Sequence, residues 1–461
     1  MLRRIFSLII LLVAVFCVCR CCHPKYNQPL LKTVAETGKV VKAIEDDQTL
    51  FLTTFSGGGT RAMAMGYYVV EELMKVHYKS YTVNNAQVAN SLADEIDLAS
   101  GVSGGSFVAA ALPIYIDDWK AFEEVGVKRN IEGTLIKKLL MPWNWPYLLS
   151  PYYSRTNLAS EFYDEKIFKS KTFGDLPNHP KLRINATFLA QGVHFIYTKE
   201  FFEYLSSDLS SYPIGYAAAA SSAFPIGFTP ITLKNYGETL ADSILMKDKR
   251  VKYAKKNSKR NINKFVYYRM RKFMNDKSNE WVHNADGGLA GNTGIKVILD
   301  EWATNGIINK KLNDSKNPLK RLIIIVVNAG TLTDDESCKK ESSPHIPSVM
   351  VYTMSTAMDI LSDERLSRVK NKISELWQVV QSSKGPFSLG DTALSLLEKP
   401  YLIEINARNI DDDKLRTSFN KLPTSFYLKE EQLDIIKKSV DYLMRSNKEF
   451  SRLKKSITEH K

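Results

Sequence analysis

Three predicted strands in this chain each lead into a glycine-rich turn, and this repeated arrangement constrains the fold more than any other feature. The three pairs of strand and turn are Thr49–Phe55 with Gly57–Gly59, Glu95–Ser100 with Gly101–Gly105, and Trp281-Val282 with Asp286-Gly287-Gly288. Helical composition follows each turn, in Thr60–Tyr78, Phe107–Ile116 and Gly294–Thr304. Strands that alternate with helices in this way indicate a mostly parallel sheet covered on both sides.

The rest of the chain fits the same α/β fold class. Leu182–Ala190 and Arg321–Asn328 are predicted strands, and the unbroken aliphatic run of the second is typical of a strand buried on both faces. Tyr352–Leu361 and Lys429–Ile457 are predicted helices. We therefore predict a three-layer, mostly parallel sheet with helices on both faces and extra C-terminal helices.

Length and motif spacing together predict the domain organisation. A chain of 461 residues could hold about three domains. However, the carboxyl ends of strands in an open α/β sheet meet at one edge, so turns that form one site must belong to one domain. We predict a catalytic domain over residues 48–330, a lead-in over 25–47, and a helical C-terminal extension over 331–461 that packs on the same domain.

The N-terminus, residues 1–24, has the pattern of a targeting segment. Arg3-Arg4 precede an apolar run from Ile5 to Cys19, which resembles a secretory signal and is short for a spanning helix. The cysteines of the Cys17–Cys22 region suit lipid attachment, although none of them follows the small residue that a bacterial lipoprotein would have. We expect a membrane-associated protein, through a signal, an anchor or a lipidated cysteine, with a secreted or periplasmic form after cleavage as the alternative.

A basic block between residues 242 and 280 carries much of the net charge. It contains 13 lysines and arginines and four acidic residues, so its net charge is +9, out of +13 for the whole chain. Within it, residues 264–274 interleave aromatic with basic side chains, which suits an amphipathic segment, and we expect contact with an anionic membrane surface through residues 247–274. A solvated basic insertion is the alternative. Nucleic-acid binding is not expected, because no recognition fold accompanies the block.

The three turns carry the candidate chemistry. The spacing Gly101-x-Ser103-x-Gly105 fits a nucleophile elbow, with Ser100 ending the strand and Ser106 in the following helix. The amides of Gly57–Gly59 could hold an oxyanion, or the glycines could form a tight turn. Asp286, at the end of a strand, is placed like a general base, although an Asp-Gly turn without chemistry has the same sequence.

Taken in order, these motifs resemble the patatin-like phospholipase family. Gly57-Gly58-Gly59-Thr60-Arg61, Gly101-Val102-Ser103-Gly104-Gly105 and Asp286-Gly287-Gly288 stand in that family's order. Further matching stretches are Ser154–Leu158, Lys171–Pro177, Arg183–Thr187 and Ala220–Pro225. The resemblance covers about residues 48–330, and Ser56–Met63 is also similar to the related cytosolic phospholipases A.

This resemblance implies a lipid acyl hydrolase with a Ser-Asp dyad and neither a metal nor another cofactor. Ser103 would be the nucleophile and Asp286 the base, acting on a phospholipid or another acyl lipid. The implied oxyanion donors are the amides of Gly57, Gly58, Gly59 and Thr60, and Arg61 would orient this loop or meet the substrate's phosphate. Ala62 stands where many family members have glycine.

Two alternatives remain at the level of sequence. An esterase with a Ser-His-Asp triad would need a late histidine, and His283, His345 and His460 are available. A non-catalytic membrane protein could keep the fold as a lipid-binding module, although such a module needs neither Ser103 nor Asp286.

Overall fold

The computed structural model describes most of the chain between residues 22 and 458. The described ranges are 22–30, 48–83, 86–225, 227–237, 273, 276, 278–302, 306–314, 317–331, 341–343, 345–382, 387–388, 393–394 and 396–458. The predicted targeting segment therefore lies outside the described residues up to position 21, as does nearly all of the basic block.

The chain forms two compact units, and neither is continuous in sequence. The serine unit comprises residues 38–129, 176–185 and 287–461, and the aspartate unit comprises residues 1–37, 130–175 and 186–286. We name each unit after the candidate catalytic residue that it contains.

The serine unit is built on a parallel sheet. Its strands, in spatial order, are Tyr401–Asn406, Arg321–Asn328, Thr49–Phe55, Leu98–Val102 and residues 181–185 of Lys181–Phe188, and every neighbouring pair is parallel. All eight residues of Arg321–Asn328 are buried, which confirms the prediction that this strand is covered on both faces. Thr49–Phe55 is likewise buried throughout and also has the predicted bounds.

Helices flank this sheet, and the first two directly follow glycine-rich turns. They span Gly59–Met74, Gly104–Tyr115, Lys296–Glu301, Ile307–Leu312, Ile346–Ser382, Asp413–Asn420, Glu430–Ser446 and Lys448–Thr458. The first helix ends earlier than predicted, because the chain turns into an antiparallel ribbon of His77–Val83 and Ala86–Ser91. The predicted single helix Lys429–Ile457 is two helices, since the Asn447 side chain accepts the Phe450 N–H and caps a new helix.

The aspartate unit is antiparallel where it carries its candidate residue. Trp281–Asp286 pairs antiparallel with residues 186–188 and, on its other side, with Ile231–Lys234. Val193–Tyr197 also pairs with Lys181–Phe188. The helices of this unit are Ile131–Leu140, Trp145–Leu148, Arg155–Lys166, Lys199–Tyr204 and Ile214–Ser221. The sheet is thus mixed. The antiparallel direction of these strands was not predicted, because the sequence of a strand does not indicate its direction.

Candidate active site

Ser103 stands at the apex of a strained turn between a buried strand and a helix. It directly follows Leu98–Val102 and precedes Gly104–Tyr115, and its backbone has φ 49° and ψ −123°. A non-glycine residue at such a positive φ costs of order 1–3 kcal/mol, and this strain is typical of nucleophile elbows. The Ser106 N–H and hydroxyl donate to the Ser103 carbonyl at 2.9 and 2.6 Å and hold the turn. Ser106 lies in the helix as predicted, whereas Ser100 lies inside the strand rather than at its end.

The glycines that follow Ser103 allow its turn to pack closely against the backbone of residues 55–59. A Cβ placed on Gly104 would lie 2.0 Å from the Gly59 carbonyl oxygen, and one on Gly105 would lie 2.4 Å from that of Phe55. No side chain larger than hydrogen fits such distances without backbone movement. The glycines of the serine motif therefore pack this turn directly against the segment that contains the glycine loop, Gly57–Thr60.

The glycine loop itself uses backbone conformations that favour glycine. Gly58 and Gly59 have φ of 138° and 59°, and Gly59 begins a helix of 16 residues. A Cβ on Gly57 would lie 3.1 Å from the Ser103 Cβ, so the loop is next to the candidate nucleophile. The positive end of the helix dipole also points out of this loop, which favours negative charge there.

Hydrogen bonds narrow the set of predicted oxyanion donors. The Gly57 N–H donates to the Asn292 carbonyl at 2.9 Å, and the Thr60 N–H donates to the Ser425 carbonyl at 2.8 Å. Within the described ranges, the N–H groups of Gly58 and Gly59 have no such acceptor. Of the four predicted donors, Gly58 and Gly59 are therefore the two whose amides are not paired with a backbone carbonyl in the described chain.

Arg61, which directly follows the glycine loop, is buried and donates hydrogen bonds to two backbone carbonyls that are distant in sequence. Its Nε donates to the Ala329 carbonyl at 3.1 Å, and its Nη1 donates to the Leu422 carbonyl at 2.8 Å. The side chain is only 5% exposed, and burial lowers the pKa of its guanidinium to about 10. Of the two predicted roles, these contacts favour the orientation of the loop.

The sequence did not point to Asn292, Ala329, Leu422 or Ser425. All four act on the glycine loop or on Arg61 through backbone carbonyls, and every residue type supplies that group. The Asn292 N–H in turn donates to the Ser362 hydroxyl in the long helix Ile346–Ser382. A sequence pattern carries no signal for such contacts.

Asp286 ends the strand Trp281–Asp286 of the aspartate unit, as predicted, and its backbone is held at several points. Its N–H donates to the Ala223 carbonyl at 3.0 Å, its carbonyl accepts the Thr187 hydroxyl at 2.7 Å, and it lies opposite Ala186 in the sheet. The residue is 2% exposed. Ala223 and Thr187 belong to two of the stretches that carried the family resemblance, which gives those stretches a physical role.

Asn185 links the serine strand to the residue that follows Asp286. Its side-chain N–H groups donate to the Gly101 carbonyl at 2.7 Å and to the Ser100 hydroxyl at 2.9 Å. A Cβ on Gly287 would lie 2.1 Å from the Asn185 carbonyl oxygen and 3.3 Å from a Val102 methyl group. Gly287 therefore packs against the end of the strand that leads into Ser103.

Of the histidines of the triad alternative, His283 is not placed as a partner of Asp286. His283 and Asp286 stand three residues apart on one strand, and side chains alternate along a strand, so the two point to opposite faces. The His283 Nδ1 is 3.0 Å from the Thr232 hydroxyl, and burial lowers the pKa of the imidazole. His345 is exposed before a helix, and His460 lies outside the described residues.

Clusters of metal ligands and membrane-spanning helices are both absent from the part of the chain that the structure describes. No three His, Cys, Asp or Glu side chains in it come together as metal ligands would. None of its helices is both long enough and apolar enough to cross a membrane.

The solved structures that are similar to the chain include one human protein and one bacterial protein. Against human GIVD cytosolic phospholipase A2 the sequence identity is 10% and the TM-score is 0.40, with 90% of this chain and 63% of that chain covered. The chain thus spans less than two thirds of that structure. Against VipD from Legionella pneumophila the identity is 12% and the TM-score is 0.29, with 91% and 70% covered. None of the curated proteins is similar enough to match the chain.

The family comparison covers the whole candidate site. A family model for the patatin-like phospholipases matches residues 53–299, which is more than half of the 461 residues. The matched region includes the glycine loop, Arg61, Ser103 and Asp286. The chain therefore belongs to the patatin-like phospholipase family.

Proposed function

We propose that this protein is a serine-dependent lipid acyl hydrolase that cleaves fatty acyl esters of phospholipids or lysophospholipids. The observation that carries the proposal is Ser103, a non-glycine residue at φ 49° on a strand-turn-helix, with the glycine loop beside its Cβ. Family membership supports the same reaction class.

The reaction begins with attack of the Ser103 hydroxyl oxygen on the acyl carbonyl carbon. The hydroxyl proton passes to the Asp286 carboxylate, and the carbonyl oxygen takes the negative charge and accepts hydrogen bonds from the Gly58 and Gly59 amides. The ester C–O bond then breaks, the alcohol leaves with the proton from Asp286, and acyl-Ser103 remains. Water attacks this ester with Asp286 as its base, which releases the fatty acid and restores the serine.

The pairing of Ser103 with Asp286 is supported by the family match, because both residues lie in the matched region and stand in the order of the family's motifs. Arg61 keeps the glycine loop in position through two carbonyls, and a phosphate of the substrate is a further candidate ligand for its remaining N–H groups.

We also propose that the protein works at a membrane. The targeting pattern of residues 1–24 and the basic residues 247–274 support association with an anionic lipid surface. Acyl lipids are assembled in bilayers, so an enzyme that hydrolyses them must reach this surface.

The test compares the wild type with Ser103→Ala and Asp286→Asn on vesicles of phospholipid, lysophospholipid and triglyceride. Both variants should lose at least about 10³-fold in hydrolysis, because each removes a group that takes part in bond making. A fluorophosphonate probe should label the wild type and not Ser103→Ala. Equal turnover by all three proteins would exclude the mechanism, and the absence of labelling under any lipid condition would favour a lipid-binding module. Loss of activity in a folded His283→Ala protein would favour a Ser-His-Asp triad over the dyad.

A further inference from the structure

The aspartate unit exposes a concentration of large apolar side chains in one short stretch. We call Leu140, Trp143, Trp145, Tyr147, Leu149 and Tyr152 the aromatic surface, and each is between 46% and 69% exposed. Scattered apolar residues are normal on a protein surface, whereas six exposed large apolar residues within 13 positions form a local concentration of the kind found at interaction sites.

The backbone of this stretch is ordered by its own hydrogen bonds. The Asn144 side chain donates to the Lys138 carbonyl at 2.7 Å, the Leu149 N–H donates to the Trp145 carbonyl, and the Ser150 N–H donates to the Tyr147 carbonyl. Pro142 and Pro146 stand at the starts of two short helical turns, where their fixed φ is favourable. The exposed side chains are therefore presented by a defined scaffold.

The charged side chains of the stretch itself have one sign, and an acidic group of the following helix, Glu161, lies near Lys138. Between Glu132 and Glu161 the sequence contains no acidic residue, while Lys137, Lys138 and Arg155 are basic. Tryptophan and tyrosine are enriched at the interface between membrane and water, and nearby lysines are attracted to anionic head groups. The composition thus matches the surface of an anionic lipid bilayer.

Cys22 and His23, near the end of the predicted targeting segment, contact this same stretch. The Ser150 hydroxyl donates to the Cys22 carbonyl at 2.6 Å, and the His23 ring stacks on Tyr152 with centroids 4.3 Å apart. In the sequence, the apolar run of the targeting segment ends at Cys19, three residues before Cys22. The point from which that segment departs is therefore joined to the aromatic surface.

We propose that the aromatic surface lies in the head-group layer of an anionic phospholipid bilayer and is a membrane-docking site of this protein. The proposal rests on the proposed acyl hydrolase function for its choice of a lipid partner. It differs from contact through residues 247–274, because it places a membrane-facing surface on residues 140–152, next to the N-terminal segment.

The test uses the full chain as Ser103→Ala, so that lipid is bound and not consumed. Tryptophan emission is measured on vesicles of phosphatidylcholine and phosphatidylglycerol in which the phosphatidylcholine carries brominated acyl chains. Brominated lipid should quench the emission, and Trp143→Phe/Trp145→Phe should lose at least half of that quenching, because phenylalanine keeps the surface apolar but removes the reporters. The matched control Trp302→Phe, in the serine unit, should keep it.

Two outcomes of the quenching experiment would overturn the proposal. Quenching that is unchanged in the double variant would place Trp143 and Trp145 away from the bilayer. If aqueous acrylamide does not quench the emission of Trp143 and Trp145 before lipid is added, residues 1–21 or a second copy of the chain covers the surface.

A second variant tests the same surface by activity. Leu149→Glu should lower hydrolysis of anionic vesicles about tenfold and leave hydrolysis of a soluble short-chain ester unchanged, since it adds a negative charge to an exposed position. Leu397→Glu, equally exposed in the serine unit, is the matched control. Equal vesicle activity of Leu149→Glu and wild type would contradict the docking site. A wild type that hydrolyses nothing would refute the proposed function alone, because the quenching result does not depend on turnover.

Discussion

The serine turn, Gly101–Gly105, and the glycine loop, Gly57–Thr60, follow neighbouring parallel strands of the serine unit but are held in different ways. The serine turn is held largely from within, by Ser106 bonding the Ser103 carbonyl and by glycines that admit adjacent backbone. The glycine loop is held from outside, by carbonyls of Asn292 and Ser425 and through Arg61.

This difference shows why one turn has a short sequence signature and the other depends on distant chain. Gly-x-Ser-x-Gly contains nearly all the residues that shape the serine turn. Leu422 and Ser425, by contrast, lie far outside the region 53–299 that the family model matches. The C-terminal extension is thus part of the support of the candidate oxyanion site, and the two turns should respond differently to substitution.

The largest effect is expected where the two turns touch. Gly104→Ala places a Cβ 2.0 Å from the Gly59 carbonyl oxygen and should separate the turns, with a loss of at least about 10²-fold in kcat. Gly→Ala in a helix otherwise stabilises by up to about 1 kcal/mol, so a drop in the free energy of unfolding would identify the clash. Hydrolysis of a soluble ester and chemical denaturation measure both quantities.

Gly227→Ala is the control for this substitution, because its Cβ would meet only the Phe224 carbonyl at an ordinary 3.7 Å. Wild-type kcat in Gly104→Ala would mean that the contact between the turns is unimportant for the reaction.

The next effect concerns the external support of the glycine loop. Arg61→Lys keeps the charge but loses the planar fork that reaches two carbonyls, so we expect kcat to fall about tenfold or more. Arg321 is equally buried, but it pairs with Glu398 and Ser456. Arg321→Lys should therefore cost about 2 kcal/mol of unfolding free energy without a comparable loss of kcat. Similar kinetics in the two variants would show that Arg61 only stabilises the fold.

A finer comparison removes one hydroxyl from each support. Ser106→Ala and Ser362→Ala should each lower the free energy of unfolding by about 1 kcal/mol. Ser362→Ala should reduce kcat more than Ser106→Ala does. In Ser106→Ala the backbone N–H of residue 106 still donates to the Ser103 carbonyl, whereas in Ser362→Ala the Asn292 N–H loses its hydroxyl acceptor. Thermal unfolding and ester hydrolysis would be measured on both proteins, and the reverse order of kcat values would contradict external support of the loop.

The smallest effect is predicted for His283. Because burial lowers its pKa in the folded chain, the unfolded chain binds a proton that the folded chain does not as the pH falls below about 6.5, and stability decreases there. His283→Gln should weaken this loss of stability on acidification and leave hydrolysis at neutral pH unchanged. Denaturation between pH 5 and pH 8 measures the first effect. A strong fall in hydrolysis would point to a catalytic histidine instead.

Much of the fold could be predicted because burial leaves a direct trace in the sequence. The uninterrupted aliphatic residues of Arg321–Asn328 and the β-rich Thr49–Phe55 predicted both strands with their observed bounds. The direction of Trp281–Asp286 could not be predicted in the same way. Side-chain burial is the same in parallel and antiparallel strands, and its partners, residues 186–188 and Ile231–Lys234, are distant in sequence.

The sequence by itself determined which residues can form the candidate site, because a turn as tight as that of Ser103 admits only hydrogen as a side chain at several positions. Only the tertiary structure decided which of the predicted donor amides are already paired, since Gly57 and Thr60 donate to Asn292 and Ser425 while Gly58 and Gly59 have no such acceptor in the described chain. Side chains and glycines have identities that a sequence records. Backbone N–H and carbonyl groups are nearly the same in every residue, so only the folded arrangement pairs them.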